Sequence, residues 1–244
     1  MIVRPHPSGW RITLHPAHGL LAAELFRQLP DRVPDALYLP TLLAVAQHDD
    51  HQLNFETGDY LTELGAPKDF TLLEMDSDQR SLQAENLLRE AYRKHLWTGL
   101  LIGKHVEFLY DGQAVDSRLK KLLTGIRKRR KTALKAHGWA AEQLDTAYGQ
   151  LRFCDRLSLI LCGEELPSLG RKLEINDALG VATYLYQEEQ DETIGIDPWP
   201  FVTDEFTVSV ESHPIDRLSF SSTATLGKFL ESRTTEIRSW TFRR

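Results

Sequence analysis

Four side chains in this sequence have the types and the spacing for metal chemistry: His18, the adjacent pair His48 and Asp49, and Asp155. Each lies in a segment whose apolar pattern predicts a helix, and three of the four lie on the apolar face of that helix. Burying imidazole and carboxylate groups is costly unless something pairs them. Because two nitrogen and two oxygen ligands suit a divalent metal ion, these four residues are candidate ligands.

The elements that must position these residues begin with a small hairpin. Two β-leaning segments, 3–7 and 10–14, are divided by a turn at Pro7-Ser8-Gly9. Helical periodicity then predicts five helices, with Asp76-Ser77 capping the third, which should bend near Gly99 or Gly103 and end at Asp111-Gly112. The predicted helices cover residues 16–29, 36–49, 78–110, 114–136 and 140–162.

The residue pattern changes after Gly163, where short segments typical of β-strands replace the helical periodicity. We predict an α+β fold with a mainly helical core over about 15–165 and a β-rich C-terminal region over about 166–244. The N-terminal hairpin could join that sheet, so we treat residues 1–244 as a single unit. The predicted strands cover 172–175, 181–186, 193–196 and 206–210, while 226–230 and 237–242 fit either a strand or a short helix.

The composition is that of an ordinary soluble globular protein, with 244 residues, 41% hydrophobic and 26% charged. A net charge of -6 argues against a general attraction to nucleic acid or to an anionic membrane. No apolar segment approaches the roughly 18 residues of a membrane span, and the first ten residues do not resemble a signal peptide. Cys154 and Cys162 lie about 12 Å apart along one predicted helix, too far to bridge. We therefore expect a cytoplasmic protein.

The order of the four candidate ligands resembles that of a known superfamily. A histidine, an adjacent His-Asp pair about 30 residues later and a distant aspartate, all on helices, are similar to the HD superfamily of metal-dependent phosphohydrolases. Several longer segments also resemble an uncharacterised bacterial family of unknown function, and together they span most of the chain. These segments are Ala46–Asp50, Leu64–Phe70, Gly103–His105, Asp155–Leu159 and Asp197–Phe201.

The resemblance implies an HD-like helical core that binds one divalent ion, either Mn, Fe, Ni, Co or Mg. Its ligands would be His18, His48, Asp49 and Asp155. The implied reaction is hydrolysis of a small phosphoester, such as a nucleotide, by a metal-activated water that Asp49 helps to orient. The alternative is a non-catalytic protein of the same fold that binds a metal or another ligand. The oligomeric state is left open by the sequence.

Three further residues are expected near this metal. His105 follows Trp97 and Leu101 at helical spacing and should point inward, as a substrate ligand or general acid. His95 falls on a different face, so a second metal is not expected. Two basic residues beside these positions in the sequence are candidates to hold the phosphate: Lys104 next to His105, and Arg152 near Asp155.

Each assignment has a purely structural alternative. His18 could pack against Pro16, the pair His48 and Asp49 could simply end a helix, and His105 could be a core histidine. Asp155 could form an ion pair with Arg152 or Arg156, and Lys104 could be an ordinary surface lysine.

Two other segments could serve function. The basic run from Arg118 to Lys131 lies in a stretch with no acidic residue between Asp116 and Glu142, which would suit nucleic-acid phosphates. No aromatic residue is interleaved for base stacking, so we expect a solvated helix face. The segment from Asp49 to Phe70 leaves directly from the His-Asp pair, and we expect it to shape the mouth of any pocket. Asp197–Phe201 should be a rigid turn that packs a tryptophan on the core.

Overall fold

The structure, a computed structural model, describes residues 1–50, 55–56, 58–110, 116–188 and 190–244. Within these residues the chain forms seven α-helices and seven β-strands, the α+β class that the sequence predicts. The helices are α1 (His15–Phe26), α2 (Asp35–Gln47), α3 (Ser77–Lys94), α4 (Leu96–Tyr110), α5 (Ser117–His137), α6 (Ala141–Cys162) and α7 (Thr223–Ser232). The strands are β1 (Ile2–His6), β2 (Gly9–Thr13), β3 (Leu173–Asn176), β4 (Thr183–Gln187), β5 (Ile194–Asp197), β6 (Glu205–Ile215) and β7 (Glu236–Arg243).

The N-terminal hairpin joins the C-terminal strands in one sheet, as the sequence suggests. The strand order is β1-β2-β6-β7-β5-β4-β3, and every neighbouring pair is antiparallel except β5 and β7. Strand β2 pairs with β6 so that Trp10 lies opposite Ile215 and Ile12 lies opposite His213. The first strands of the chain are thereby fixed to its C-terminal third, across the intervening helices.

The predicted third helix is two helices. A capping box between Asp76 and Gln79 begins α3, but the chain breaks at His95, whose backbone is extended (φ -160°, ψ 142°). The ring nitrogen Nδ1 of His95 accepts a hydrogen bond from the backbone N–H of Trp97 and so starts the next helix. The prediction of a bend at Gly99 or Gly103 is therefore wrong. The predicted helix end at Asp111-Gly112 and the start of the next helix at Ala114 lie outside the described residues.

The break allows α4 to fold back on α3. A Cβ on Gly99 would lie 2.0 Å from the ring of Tyr92, and one on Gly103 would lie 3.7 Å from Leu88. Residues near the end of α3 thus face the start of α4, which is an antiparallel helix pair. The glycines that the sequence suggested as bend points are instead contact points between the two helices.

Helices α1 and α2 make an equally close contact. A Cβ on Gly19 would lie 2.3 Å from the carbonyl oxygen of Ala46, so only glycine allows this approach. The contact places the residue before Gly19 beside the end of α2. The helices pack around a core that includes Trp97 and Phe153, both fully buried.

Several smaller predictions are settled by the structure. The ambiguous segment 226–230 lies within α7, and 237–242 lies within β7. Cys154 and Cys162 are buried free thiols, as expected from their spacing. Among the described residues, no helix has both the length and the apolar character needed to cross a membrane.

Candidate metal centre

Three side chains from three helices meet at one point. The Nε2 atoms of His18 and His48 lie 3.2 Å apart. The Oδ1 atom of Asp155 lies 3.0 Å from Nε2 of His48 and 3.4 Å from Nε2 of His18. Both imidazoles are almost fully buried (0% and 1% exposed), whereas the Asp155 side chain is 16% exposed. We call His18, His48 and Asp155 the histidine–aspartate cluster; its three ligand atoms lie within 4.8 Å of one another.

The hydrogen bonds behind the two rings fix their tautomers. The Nδ1 atom of His48 lies 2.7 Å from the carbonyl oxygen of Val45, which can only accept a hydrogen bond. The Ser158 hydroxyl donates to the carbonyl oxygen of Asp155 at 2.9 Å, so Ser158 Oγ must accept from Nδ1 of His18, also at 2.9 Å. Both Nδ1 atoms therefore carry the hydrogen. In the neutral rings, the two facing Nε2 atoms are lone-pair donors.

The electrostatics of the cluster favour one added positive charge. Burial works to lower the pKa of His48, but the nearby Asp155 carboxylate outweighs it and raises that pKa to about 9. Burial works in turn to raise the pKa of Asp155, and the two histidines hold it well below its usual range. The cluster therefore favours a positive charge at this point, which a proton on His48 would supply.

Asp155 does not form the ion pair with arginine that the sequence left open. Arg156 lies 3.7 Å from Glu165, and the guanidinium of Arg152 lies 4.4 Å above the ring of Phe108. The partners of the Asp155 carboxylate are instead His18 and His48.

Asp49, predicted as a fourth ligand, is not part of the cluster. Helix α2 ends at Gln47, and Asp49 follows its cap residue with its Oδ2 atom 3.5 Å from Nδ1 of His15. His15 is one turn before His18 on α1, and the two rings are 6.4 Å apart. The structure thus places a second histidine–carboxylate pair, His15 and Asp49, next to the cluster.

His105 lies where the sequence predicts it, on the inward face of α4. Its ring is 2% exposed and meets the ring of His48 edge-on, with the centroids 5.1 Å apart. It is close enough to help lower the pKa of Asp155, after the larger effects of the cluster itself. His105 therefore lines the cluster from a fourth helix.

The two predicted phosphate-binding residues lie on the flank of His105. The Lys104 ammonium pairs with Asp145 and lies 5.2 Å above the ring of Tyr148. Arg152 has no carboxylate partner among the described residues, and the Phe108 ring beneath its guanidinium is 6.4 Å from the ring of His105. Among the described residues, the charge of Arg152 thus has no carboxylate to match it, whereas that of Lys104 is matched by Asp145.

Three further residues belong to this region and were not predicted from the sequence. His15 and Ser158 are one helical turn from His18 and Asp155, a spacing that would have identified both. Tyr148 is two turns before Asp155 and contacts the ring of His105 at 6.4 Å. Its hydroxyl is buried and has no hydrogen-bond partner among the described residues. Burial raises the pKa of Tyr148, so the group remains a donor.

The segment expected to shape the mouth of the site is only partly described. Residues 51–54 and 57 lie outside the described residues. The part that is described holds an isolated bridge between Leu61 and Pro67 and a 3₁₀ turn at Phe70–Leu72. The ring of Phe70 packs edge-on against His15, with the centroids 5.3 Å apart. This end of the segment therefore covers the second histidine–carboxylate pair.

Comparisons with known proteins identify a family but no characterised relative. The sequence model of one protein family, described as "Protein of unknown function (DUF3891)", matches residues 1–217. No curated protein matches the chain. No solved structure matches it either.

Proposed function

The chain belongs to the DUF3891 family, whose function is unknown, and we propose that it is a metal-dependent phosphohydrolase built on the histidine–aspartate cluster. The proposal depends on one observation: the Nε2 atoms of His18 and His48 face each other at 3.2 Å, and both rings have already committed their Nδ1 hydrogens elsewhere. Two facing lone pairs repel unless a positive charge lies between them.

The spacing of the three donors suits a divalent ion. Ligand atoms about 2.1 Å from an ion and at right angles to each other are about 3 Å apart. The three distances in the cluster, 3.0, 3.2 and 3.4 Å, are close to this value. Two imidazoles and one carboxylate suit Mn, Fe, Ni or Co better than Mg, which prefers oxygen ligands. Three protein ligands would leave positions for water and substrate.

The surrounding residues supply what hydrolysis of a phosphoester needs. A divalent ion held there would lower the pKa of a bound water and polarise a phosphoryl oxygen. Arg152 offers the charged hydrogen-bond donors that phosphate recognition requires. Tyr148 offers a protonated hydroxyl, and His105 can hold or donate a proton beside the cluster. Asp49, paired with His15, is placed to orient groups at the edge of the site.

A second candidate function is a non-catalytic protein that keeps the same cluster. A single proton on His48 also satisfies the three facing atoms, because Asp155 raises the pKa of His48 to about 9. In that case the cluster is a buried hydrogen-bonded group that stabilises the contact between α1, α2 and α6. Metal content separates this proton-bound cluster from a metal site.

The test is the metal content of protein purified without chelator. We expect about one transition-metal ion per chain in the wild type and none in His48→Gln, which keeps the side-chain volume. His137→Gln is the matched control, because His137 is an exposed histidine that stacks on Trp139 at the end of α5. Metal-free wild type, or equal metal in wild type and His48→Gln, would contradict the metal site.

The reaction is tested separately with the metal-loaded protein. A panel of phosphoesters, including nucleotides, is screened with Mn, Ni, Co and Mg, and with Asp155→Ala as the background control. Turnover above that background supports a phosphohydrolase. Metal binding without such turnover would favour the non-catalytic function.

A further inference from the structure

Helices α3 and α5 enclose a second candidate site, a basic groove on the side of α4 that faces away from His105. Arg118, in the first turn of α5, pairs with Glu85 of α3 at 2.7 Å. Near the other end, the guanidinium of Arg129 lies 3.5 Å above the ring of Tyr92. The two helices therefore run side by side in the same direction. The groove between them has a volume of about 820 Å³.

The walls of this groove carry an excess of positive charge. Five cationic residues and one acidic residue line it, in a chain whose net charge is -6. Arg118 is matched by Glu85, but Arg89, Lys121 and Arg129 have no carboxylate partner among the described residues. Leucine and isoleucine side chains form the floor. The lining cations are Arg89, Arg93, Arg118, Lys121 and Arg129.

A glycine keeps the middle of the groove open. Gly125 is exposed in the centre of α5, and a Cβ there would meet nothing within 4 Å. Glycine inside a helix costs about 1 kcal/mol relative to alanine. The structure shows no packing contact that requires glycine here, whereas a long side chain at this lining position would reach into the groove.

We propose that this groove binds the phosphate backbone of single-stranded nucleic acid. The walls run about 12 Å along the helix axes, from Glu85 to Arg93. Charged walls of this length suit an extended polyanion better than a small phosphate. Helices that pack side by side have axes about 8–10 Å apart, so we expect the narrow groove between them to take a single strand in preference to a duplex.

The aromatic ring in the groove does not read bases. One side of Tyr92 faces Gly99 and another lies under Arg129, so the ring cannot stack on a base. Tyr92 instead holds Arg129 in place through the contact between its ring and the guanidinium. Binding should therefore be electrostatic, independent of sequence and strongly reduced by salt.

The experiment is fluorescence anisotropy with a short labelled oligothymidylate at low salt. We expect the triple variant Arg89→Gln, Lys121→Gln, Arg129→Gln to bind at least about tenfold more weakly than the wild type. The matched control removes three charges from α5 outside the groove: Lys120→Gln, Lys128→Gln, Lys131→Gln. It should weaken binding by about threefold or less.

A single substitution tests whether the groove must stay open at Gly125. Gly125→Glu adds a carboxylate in the groove, and the melting temperature should not fall because glutamate favours helices more than glycine does. We expect this variant to lose oligothymidylate binding, while Gly125→Ala keeps it. Loss of binding in a variant with unchanged melting temperature rules out unfolding as the cause.

Several results would overturn the proposal. These are no binding of the wild type at low salt, equal weakening by the two triple variants, or a duplex bound as tightly as the single strand. Competition by polyglutamate as effective as that by unlabelled oligothymidylate would assign the groove to an acidic polypeptide instead. Catalysis at the histidine–aspartate cluster is not involved in any of these measurements.

Discussion

Two histidine–carboxylate groups lie next to each other in this molecule, and they differ in where their nitrogen atoms point. In the cluster, the Nδ1 atoms of His18 and His48 donate outward, to Ser158 and to the carbonyl of Val45, so both Nε2 atoms face Asp155. In the other group, Nδ1 of His15 faces Asp49 directly at 3.5 Å. Histidines and aspartates are present in both. What makes the first a candidate metal site is the set of outward hydrogen bonds that directs its lone pairs to one point.

Replacing each carboxylate with an amide tests most directly whether the cluster and the His15–Asp49 pair differ in metal binding. Asp155→Asn removes the charged donor from the cluster, and we expect the metal affinity to fall at least about 100-fold. Asp49→Asn should weaken it about tenfold or less, since Asp49 lies outside the cluster and acts on His48 through its charge. Isothermal titration calorimetry of the metal-free variants with Mn or Co measures the metal affinity of each. Equal losses would make Asp49 a ligand, as the sequence predicts.

The second prediction concerns the stability of the metal-free protein as the pH rises. The pKa of His48 is about 9 in the folded protein and about 6.5 when unfolded, so its proton stabilises the fold most below pH 6.5. This contribution, about 3 kcal/mol, is lost between pH 6.5 and pH 9. Asp155→Asn removes the cause of the raised pKa.

The measurement is urea denaturation in chelator at several pH values, for the wild type and for Asp155→Asn. The free energy of unfolding of the wild type should fall relative to that of the variant over this range, and other titrating groups cancel in the difference. A constant difference would mean that the cluster does not hold a proton between its rings.

The third prediction tests the hydrogen bonds behind the rings. Ser158→Ala removes the acceptor that fixes the tautomer of His18, and we expect metal affinity to fall about 10- to 100-fold. Ser81→Ala is the matched control, because Ser81 is also fully buried but lies on α3 and its hydroxyl has no partner among the described residues. If Ser158→Ala binds metal as tightly as Ser81→Ala, the direction of the lone pairs is not what defines the site.

Much of the cluster could be predicted from the sequence because helical periodicity decides which residues face inward. His18, Asp155 and His105 all lie on apolar faces, and the structure buries His18 and His105 almost completely. The position of Asp49 could not be predicted in the same way. Helix α2 ends at Gln47, and beyond the last helical residue the period no longer fixes the direction of a side chain.

The groove between α3 and α5 could not be predicted from the sequence because it depends on the helix break at His95. A continuous helix over 78–110 would have kept the second half of that segment away from α3. The His95 side chain interrupts the helix, α4 folds back, and α5 then returns alongside α3. The Tyr92 ring that lies under Arg129 comes from α3, well before the basic run in the sequence. Long-range packing of this kind leaves no periodic signal in the chain.

The last prediction, with the smallest effect, asks how far the functional region extends from the cluster. Tyr148 and Tyr92 both have buried hydroxyls without a hydrogen-bond partner among the described residues, but only Tyr148 lies beside His105. Replacing either by phenylalanine removes no internal hydrogen bond, so the free energy of unfolding should change by less than about 0.5 kcal/mol. Only Tyr148→Phe should weaken the binding of inorganic phosphate to the metal-loaded protein, by about three- to tenfold.

Calorimetry with phosphate on both metal-loaded variants makes the measurement, and chemical denaturation checks their stability. Equal phosphate affinity in the two variants would confine the site to the cluster and leave the buried Tyr148 hydroxyl without a role in binding. A large loss of stability in Tyr148→Phe would instead point to a structural role. The expected result is weaker phosphate binding at unchanged stability. It would identify the Tyr148 hydroxyl as a ligand contact, because a group that bonds only to the ligand contributes nothing to the stability of the protein alone.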